Sequence, residues 1–570
     1  MFSTLLDRLG NWNPQLLREL KGRLKPRNVA IAIALSLVSQ LLIFTNAWLA
    51  LPGDATPREI TQHTYITNPY CTGSSQYSSY PKCLLIPNTH HYEINWQLWN
   101  EDLFIRLSVI LTFALLVIGS YLLISNLNKE QRLGTLNFLR LSPRSAVNIL
   151  GGHLIGAPIL VYLAIALAVP LQINAALAAG LGIPELIGFF SLAGITSLTI
   201  FSIALLFGLI SFDLGGGQAW LASGLILGLE VAATQIGFHS PLEVTALNWL
   251  GVFSPITGLR YLIPRLDNSS EAPLYFFQDS LDFSSFSLIA RSNALLFLVW
   301  TWQALRRKFH NPTVPLINRQ DSYLSTLCFQ GIILGFTLQT VQFGGYWTAK
   351  HWTESAFTTV TFLNLGLFLI LIIALSPNWQ ALRDWSRFRQ KSEANSAHEG
   401  LFNDLILGDK SPPLVAFSLN LAIAAGCLTL WIILSPITAK TLALWTILSC
   451  NNLLMVYACL IQVIMLTRLK RRGLWAAAAI VVSFVLPMFM LAISYEVPKF
   501  GLFAPILSPW FTLFEGTPFA RPNLFSVLIQ WGMIVVLTVL STRQLHRLGK
   551  SASQTVLASS EMMVKQPSPH

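Results

Sequence analysis

Apolar residues along this chain are grouped into long runs, and none of the runs alternates apolar with polar positions. The runs are about 18 to 25 residues long, the length that a helix needs to cross the hydrocarbon core of a bilayer. Membrane-spanning strands would be shorter and would alternate. The pattern therefore predicts an all-α, polytopic membrane protein with about twelve transmembrane helices. The predicted spans are 28–51, 103–125, 148–172, 185–211, 217–237, 284–305, 324–344, 356–376, 414–435, 441–466, 474–495 and 524–541.

Lysine and arginine residues are distributed unevenly among the loops that these spans define. When the N-terminus is placed in the cytoplasm, 27 of the cations fall on the cytoplasmic side and 8 on the other side. Loops rich in Lys and Arg are retained on the cytoplasmic side of a membrane. The distribution therefore predicts that both termini are cytoplasmic.

Composition agrees with lipid as the surrounding solvent. Hydrophobic residues make up 53% of the 570 residues and charged residues only 11%, whereas soluble domains carry roughly 25% charged residues. On a soluble protein the net charge of +11 would suggest nucleic acid as a partner, but here the cations flank apolar runs. We therefore expect membrane lipid, and no nucleic acid, as a partner.

The loop after the second predicted span has the most informative sequence, Asn128-Lys-Glu-Gln-Arg-Leu-Gly-Thr-Leu-Asn-Phe-Leu-Arg-Leu-Ser-Pro-Arg144. Leu133, Leu136 and Leu139 recur at a spacing that keeps them on one side of a short helix, and Pro143 ends it. One interpretation is an amphipathic cytoplasmic helix held between two spans. The alternative is an interfacial helix that lies passively on lipid headgroups.

This wording resembles the coupling segment of type-2 ATP-binding-cassette (ABC) exporter permeases, "E-x-G-T-L … L-L … P". The N-terminal Asn13-Pro14-Gln-Leu-Leu-Arg18-Glu19 is similar to the interface helix that precedes the first span in that family. The resemblance implies a permease without ATP chemistry of its own, docked to cytoplasmic ATPase subunits in a bacterial inner (plasma) membrane. It assigns ATPase coupling to Glu130, Arg132, Gly134, Thr135, Leu136, Leu139, Ser142 and Pro143, and the interface helix to Asn13, Pro14, Arg18 and Glu19.

A second, weaker match indicates two fused halves. When the sequence is aligned with itself at an offset of 266 residues, Gly134 aligns with Gly400, and four further positions of this segment are identical. A second coupling segment is therefore expected at Gly400, Asn403, Leu405 and Leu407. Chance matching in a leucine-rich chain is the alternative. The predicted divisions are an N-terminal segment 1–27, a first six-span unit 28–308 with external loop 52–102 and coupling segment 128–145, a second unit 309–545 with cytoplasmic loop 377–413, and a polar tail 546–570.

The phosphate-binding pattern G-x-x-x-x-G-K-[ST] does not occur in the chain. We therefore expect a non-enzymatic permease that binds no cofactor, with ATP and Mg²⁺ on a partner subunit. Whether a second permease chain completes the pore stays open. The competing hypotheses are a secondary, ion-gradient-driven transporter with a six-plus-six layout, whose midplane polar residues and helix breaks are not evident, and a membrane-embedded enzyme or scaffold.

Three smaller signals complete the sequence reading. Cys71 and Cys83 share the first external loop, where a disulfide is plausible on an oxidising face, although two unpaired thiols are the alternative. Glu230 and Arg291 lie inside predicted spans, and we expect a structural ion pair or snorkelling to the interface. The chain shows no His or Cys pair at metal-ligand spacing, so no metal site is expected.

Overall fold

The structure is a computed structural model. It describes residues 10–54, 66–74, 80–87, 89–211, 217–238, 245–266, 275–277, 279–337, 346–377, 379–394, 401–435, 437, 440–467, 472–494 and 524–549. The chain divides into two compact units: the first contains residues 1–239, 250–271 and 281–306, and the second contains 240–249, 272–280 and 307–570. The main division, between residues 306 and 307, lies two residues from the boundary that the sequence predicts.

Nine longer helices of the described residues lie wholly or mostly in the first unit. They are α1 (Pro14–Arg23), α2 (Pro26–Leu49), α3 (Trp96–Arg132), α4 (Thr135–Arg140), α5 (Ala146–Gly156), α6 (Ile159–Ala178), α7 (Ile183–Ile210), α8 (Gln218–Phe238) and α9 (Phe283–His310). Short helical turns at Asn248–Gly251, Pro255–Thr257, Gly258–Leu262 and Pro264–Leu266 connect α8 with α9. Residues Tyr275–Phe276 (β1) and Asp279–Ser280 (β2) form a two-residue antiparallel pair that belongs to the second unit.

The second unit is also helical. Its helices are α10 (Arg319–Thr337), α11 (Tyr346–Leu375), α12 (Trp379–Ala394), α13 (Leu401–Leu407), α14 (Leu414–Leu434), α15 (Lys440–Leu466), α16 (Arg472–Ser494) and α17 (Leu524–Gly549). Its apolar core brings together Phe368 of α11, Phe417 of α14 and Tyr457 of α15. Two pairs of buried polar side chains lie between its helices: Thr326 donates to Asn420 (2.7 Å) and Gln330 donates to Asn364 (2.6 Å).

The chain is an all-α, polytopic helical membrane protein, as its apolar runs predict. Ten helices of the described residues are long and apolar enough to cross a membrane. Helices also cover the described residues of the other two predicted spans, 324–337 within α10 and 474–494 within α16. α10 is less apolar than the ten because it carries the buried polar residues that pair with α11 and α14.

Several boundaries differ from the prediction, and two of these differences bear on the site. The third span, predicted at 148–172, is two helices, because the chain turns at Ala157–Pro158 and Pro158 has no backbone N–H to continue α5. The second span, predicted at 103–125, belongs to a 37-residue helix that continues to Arg132. Apolar length alone predicts neither, since polar helix can extend beyond a bilayer and apolar helix can be buried against protein.

Candidate functional site

One end of the first unit collects α1, the C-terminal end of α3, α4 and α5, and we call it the basic end. α1 begins at Asn13, whose Oδ1 accepts a hydrogen bond from the Leu16 amide (2.9 Å), and Pro14 occupies the first helical position. The Asn13 side-chain amide also donates to the Asn148 carbonyl of α5 (2.7 Å). A single side chain therefore both caps α1 and attaches it to α5.

Glycines on α5 allow α1 to approach closely. A Cβ at Gly156 would lie 2.5 Å from the Glu19 Cβ, and one at Gly152 would lie 2.8 Å from the Asn13 Oδ1. Both distances are far below the ordinary contact of about 3.5–4.0 Å between non-bonded carbons. Gly151, one position along, would meet nothing within 4 Å. The contact between α1 and α5 therefore depends on two particular glycines.

A buried polar cluster lies where α1, α3 and α5 meet, and we call it the carboxylate–histidine cluster. It consists of Gln15 and Glu19 from α1, Asn126 and Glu130 from α3, and His153 from α5, of which Gln15, Glu19, Glu130 and His153 are at most 8% exposed. His153 Nδ1 lies 3.7 Å from Glu19 Oε1, and His153 Nε2 lies 3.1 Å from Glu130 Oε2. The imidazole therefore stands between two carboxylates.

Amides and arginines surround the same groups. Asn126 Nδ2 donates to Glu19 Oε1 (2.9 Å), and Gln15 Nε2 lies 3.0 Å from His153 Nε2. Arg18 forms an ion pair with Glu130, and Arg23 forms one with Glu19 (3.0 Å). These contacts join α1 to the C-terminal end of α3.

The electrostatics of the cluster follow from burial and pairing. Burial by itself raises the pKa of Glu19, but hydrogen bonds from Asn126 and Arg23 and the neighbouring positive charge outweigh it, so the net pKa is lowered. Burial lowers the pKa of His153, on α5 outside the ten candidate spans. The cluster thus holds an ionised carboxylate beside an imidazole that favours its neutral form.

The structure corrects the role predicted for Glu130. Its side chain is 6% exposed and turns inward to Arg18 and His153, so Glu130 does not lie on a docking surface. Arg132 and Gly134 are exposed, whereas Thr135 donates its hydroxyl to the Glu130 carbonyl (3.1 Å) and Leu136 is buried. The motif is therefore split, because α3 ends within it and its first part faces the protein interior.

The outward surface of this segment is apolar. Gly134 adopts a φ of +72°, a backbone conformation that glycine accepts readily, and α4 follows it. Leu133, Phe138 and Leu141 are 67%, 77% and 86% exposed, and we call these three residues the tip patch. Phe138 lies outside the leucine spacing of this segment, and a helix of six residues is too short for its pattern to predict that Phe138 is exposed.

The remaining residues predicted for coupling stabilise this turn. Leu139 is half-buried, and its carbonyl accepts a hydrogen bond from the Ser142 hydroxyl (2.7 Å). Pro143 is exposed and follows the end of α4. Together these contacts hold the tip patch in a defined shape.

The second predicted coupling segment forms a short helix in the second unit, α13. Gly400 lies outside the described residues, and Asn403 lies within α13. Leu405 is half-buried and Leu407 is 42% exposed. The buried Arg319 of α10 donates to the Leu405 carbonyl (2.8 Å) and to the Ser411 carbonyl (2.6 Å). These hydrogen bonds anchor α13 to α10.

The predicted pair of Glu230 and Arg291 is not formed, since no ion pair joins these two described residues. Arg291 Nε donates to the Ser287 carbonyl one turn back on its own helix (2.9 Å), and its Nη1 reaches Ser191 (3.4 Å). Glu230 is 4% exposed and lies beside Ser254. Arg291 is satisfied locally, and this removes the need for a partner on α8.

The disulfide predicted between Cys71 and Cys83 is confirmed. It lies at the opposite end of the first unit, which we call the disulfide end. The neighbouring Tyr70 donates its hydroxyl to Asp102 of α3 (2.8 Å), and Arg265 pairs with Asp102 and with Glu101 (3.0 Å). The disulfide-bonded loop is therefore attached to the N-terminal end of the helix whose other end carries Glu130.

Comparison with known proteins identified no similar protein. The chain matches no protein-family model, no curated protein and no solved structure. The geometry of the basic end and the sequence of its residues therefore carry the functional inference.

Proposed function

We propose that this chain is the membrane-spanning permease subunit of an ABC exporter, with its basic end in the cytoplasm and separate ATPase subunits as partners. The observation that carries the proposal is the tip patch. Phe138 on the six-residue helix α4 and Leu133 and Leu141 just beyond its two ends place three large apolar side chains on the surface at the end of a long span. Exposed apolar surface of this kind is typical of sites for protein partners.

The carboxylate–histidine cluster supports the same function. A coupling segment transmits force only if it is fixed to the spans behind it. Here Arg18 and Glu130 link α1 to α3, and the glycines of α5 hold α1 closely. The tip patch, α1 and the end of α3 therefore move together, and ATP-driven closure of a partner would act on all three.

The test is an affinity purification from mildly solubilised membranes, with co-purifying proteins identified by mass spectrometry. We compare the wild type with Phe138→Asp in the tip patch and with Phe388→Asp on α12, a control in which an equally large side chain is 67% exposed. We expect an ATPase that carries a G-x-x-x-x-G-K-[ST] loop to co-purify with the wild type and with Phe388→Asp, and to be lost from Phe138→Asp.

Crosslinking distinguishes this function from a passive interfacial helix. A photoreactive phenylalanine analogue at position 138 should crosslink to the ATPase in native membranes. If no ATPase is recovered with or without crosslinking, or if position 138 crosslinks to lipid alone, the proposed function is wrong. Ion-gradient-driven transport then becomes the leading hypothesis.

A further inference from the structure

The carboxylate–histidine cluster has the composition of a metal site. Glu19, Glu130 and His153 come from three different helices and are 8%, 6% and 1% exposed. One ligand atom from each lies within 4.8 Å of the other two. Such convergence of an imidazole and two carboxylates inside a protein is not needed to stabilise helix contacts, for which apolar side chains serve equally well.

The distances suit a small divalent cation. Zn²⁺ binds His nitrogen and carboxylate oxygen at about 2.0–2.2 Å, so neighbouring ligand atoms in a tetrahedral site are about 3.3–3.6 Å apart. The two imidazole-to-carboxylate separations, 3.1 Å to Glu130 and 3.7 Å to Glu19, lie on either side of that range. These two separations involve opposite ring nitrogens. One ligand atom from each residue lies within 4.8 Å of the others, so a carboxylate must move in by about an ångström to bind the same ion.

A second observation also points to a ligand. Glu130 Oε2 is buried and has no hydrogen-bond partner among the described residues, although His153 Nε2 lies 3.1 Å from it. A buried carboxylate oxygen without a partner is costly, and a cation between the two groups would remove that cost. The amides of Asn126 and Gln15 lie within 3.4 Å of the imidazole, and rotation of either amide would present its oxygen to the ion.

Charge balance assigns a role to Arg18. Its side chain is 47% exposed, while the Glu130 side chain with which it pairs is 8% exposed. The guanidinium can therefore move into water at little cost and leave the Glu130 oxygens to another cation. Arg23 pairs with the far oxygen of Glu19 (3.0 Å), whereas Oε1 of Glu19 accepts a hydrogen bond from the neutral Asn126 amide (2.9 Å), which the ion would displace.

We propose that Glu19, Glu130 and His153 bind one first-row divalent metal ion, with Zn²⁺ favoured by the donor set, and that Arg18 competes with the ion for Glu130. The ion would join α1 to α3 and α5 more firmly than the guanidinium does. This proposal does not depend on the partner or the energy source of the protein, so it stands or fails separately from the exporter function.

The experiment is a calorimetric Zn²⁺ titration of the full chain in detergent, purified with a histidine-free tag and freed of metal by a chelator. We expect one saturable site, absent with Mg²⁺, which does not favour imidazole. His153→Gln and Glu130→Gln should each weaken binding at least about tenfold. Arg18→Ala should tighten binding, and this gain cannot arise from misfolding.

The matched control is His91, which forms an exposed pair with Asp54 (2.7 Å) at the disulfide end. His91→Gln removes one histidine without touching the cluster, and Zn²⁺ affinity should not change. Binding that is equally strong in His153→Gln and the wild type, or the lack of any saturable site, would overturn the proposal. Unchanged affinity in Arg18→Ala would overturn the competition by Arg18. Thermal unfolding of each variant shows whether a loss of binding reflects loss of folding.

Discussion

The contact between α1 and α5 can be tested by adding one methyl group. In Gly156→Ala the new Cβ would lie 2.5 Å from the Glu19 Cβ, so α1 must move away or Glu19 must leave the cluster. Overpacking of this kind costs about 1–3 kcal/mol. Alanine also stabilises α5 by up to about 1 kcal/mol relative to glycine, but that gain is present whether α1 is docked or not, and it cancels from the docking equilibrium.

The assay is hydrogen–deuterium exchange of the peptides that cover α1, measured by mass spectrometry on the detergent-solubilised protein. Exchange through local opening reports the free energy that holds α1 in place. Because each 1.4 kcal/mol corresponds to a factor of ten, Gly156→Ala should accelerate exchange in α1 about 5- to 150-fold. The amides of α3 serve as an internal reference that should not change.

Gly151→Ala is the matched control, since it lies on the same helix and a Cβ there meets nothing within 4 Å. It should leave exchange in α1 unchanged and slow the exchange in α5 slightly. Equal exchange of α1 in the two variants would refute the close contact at Gly156. It would also remove the basis for treating α1 and α5 as one body.

Three further predictions concern other parts of the chain. Burial, and then the hydrogen bond to Asp102, raises the pKa of Tyr70 to about 12. The stabilising effect of the neutral Tyr70 hydroxyl is therefore complete below about pH 10 and is lost as the pH rises through 12. An ultraviolet titration of the wild type compared with Tyr70→Phe should show this midpoint for Tyr70, and a midpoint near 10 would contradict the prediction. Replacing Cys71 and Cys83 by serine should cost about 3 kcal/mol of loop stability, seen as faster proteolysis within the loop. Asn420→Ala should lower the free energy of unfolding by about 1 kcal/mol. Thr326→Val added to Asn420→Ala should lower it by less than Thr326→Val does in the wild type, because Thr326 and Asn420 share one hydrogen bond.

The sequence predicts the helical class and the positions of the spans because an apolar run long enough to cross lipid has few alternatives in a folded chain. It does not predict the split of the third span. Residues 146–156 are as apolar as a lipid-facing helix, yet they pack against α1. The only local signs are Pro158, which ends α5, and His153, a polar residue inside an apolar run.

The candidate site is less accessible to sequence reasoning. Glu19 and His153 are 134 residues apart, and nothing in their spacing indicates that they meet. The sequence around Glu130 draws attention to a segment that contributes to the candidate site, but the inward direction of the Glu130 side chain follows from the continuation of α3 to Arg132. Conversely, the exposure of Phe138 depends on a turn at Gly134 that reorients α4.

The length of α3 has a mechanical consequence. At 1.5 Å per residue its 37 residues form a rod about 55 Å long, against a hydrocarbon core of about 30 Å. It contains no proline, and its one glycine, Gly119, is packed against Phe201. A tilt of about 5° around the midpoint displaces each end by roughly 2 Å in opposite directions. The helix therefore acts as a lever. A displacement of its C-terminal end at Glu130 moves Asp102, and the loop closed by the disulfide, in the opposite direction.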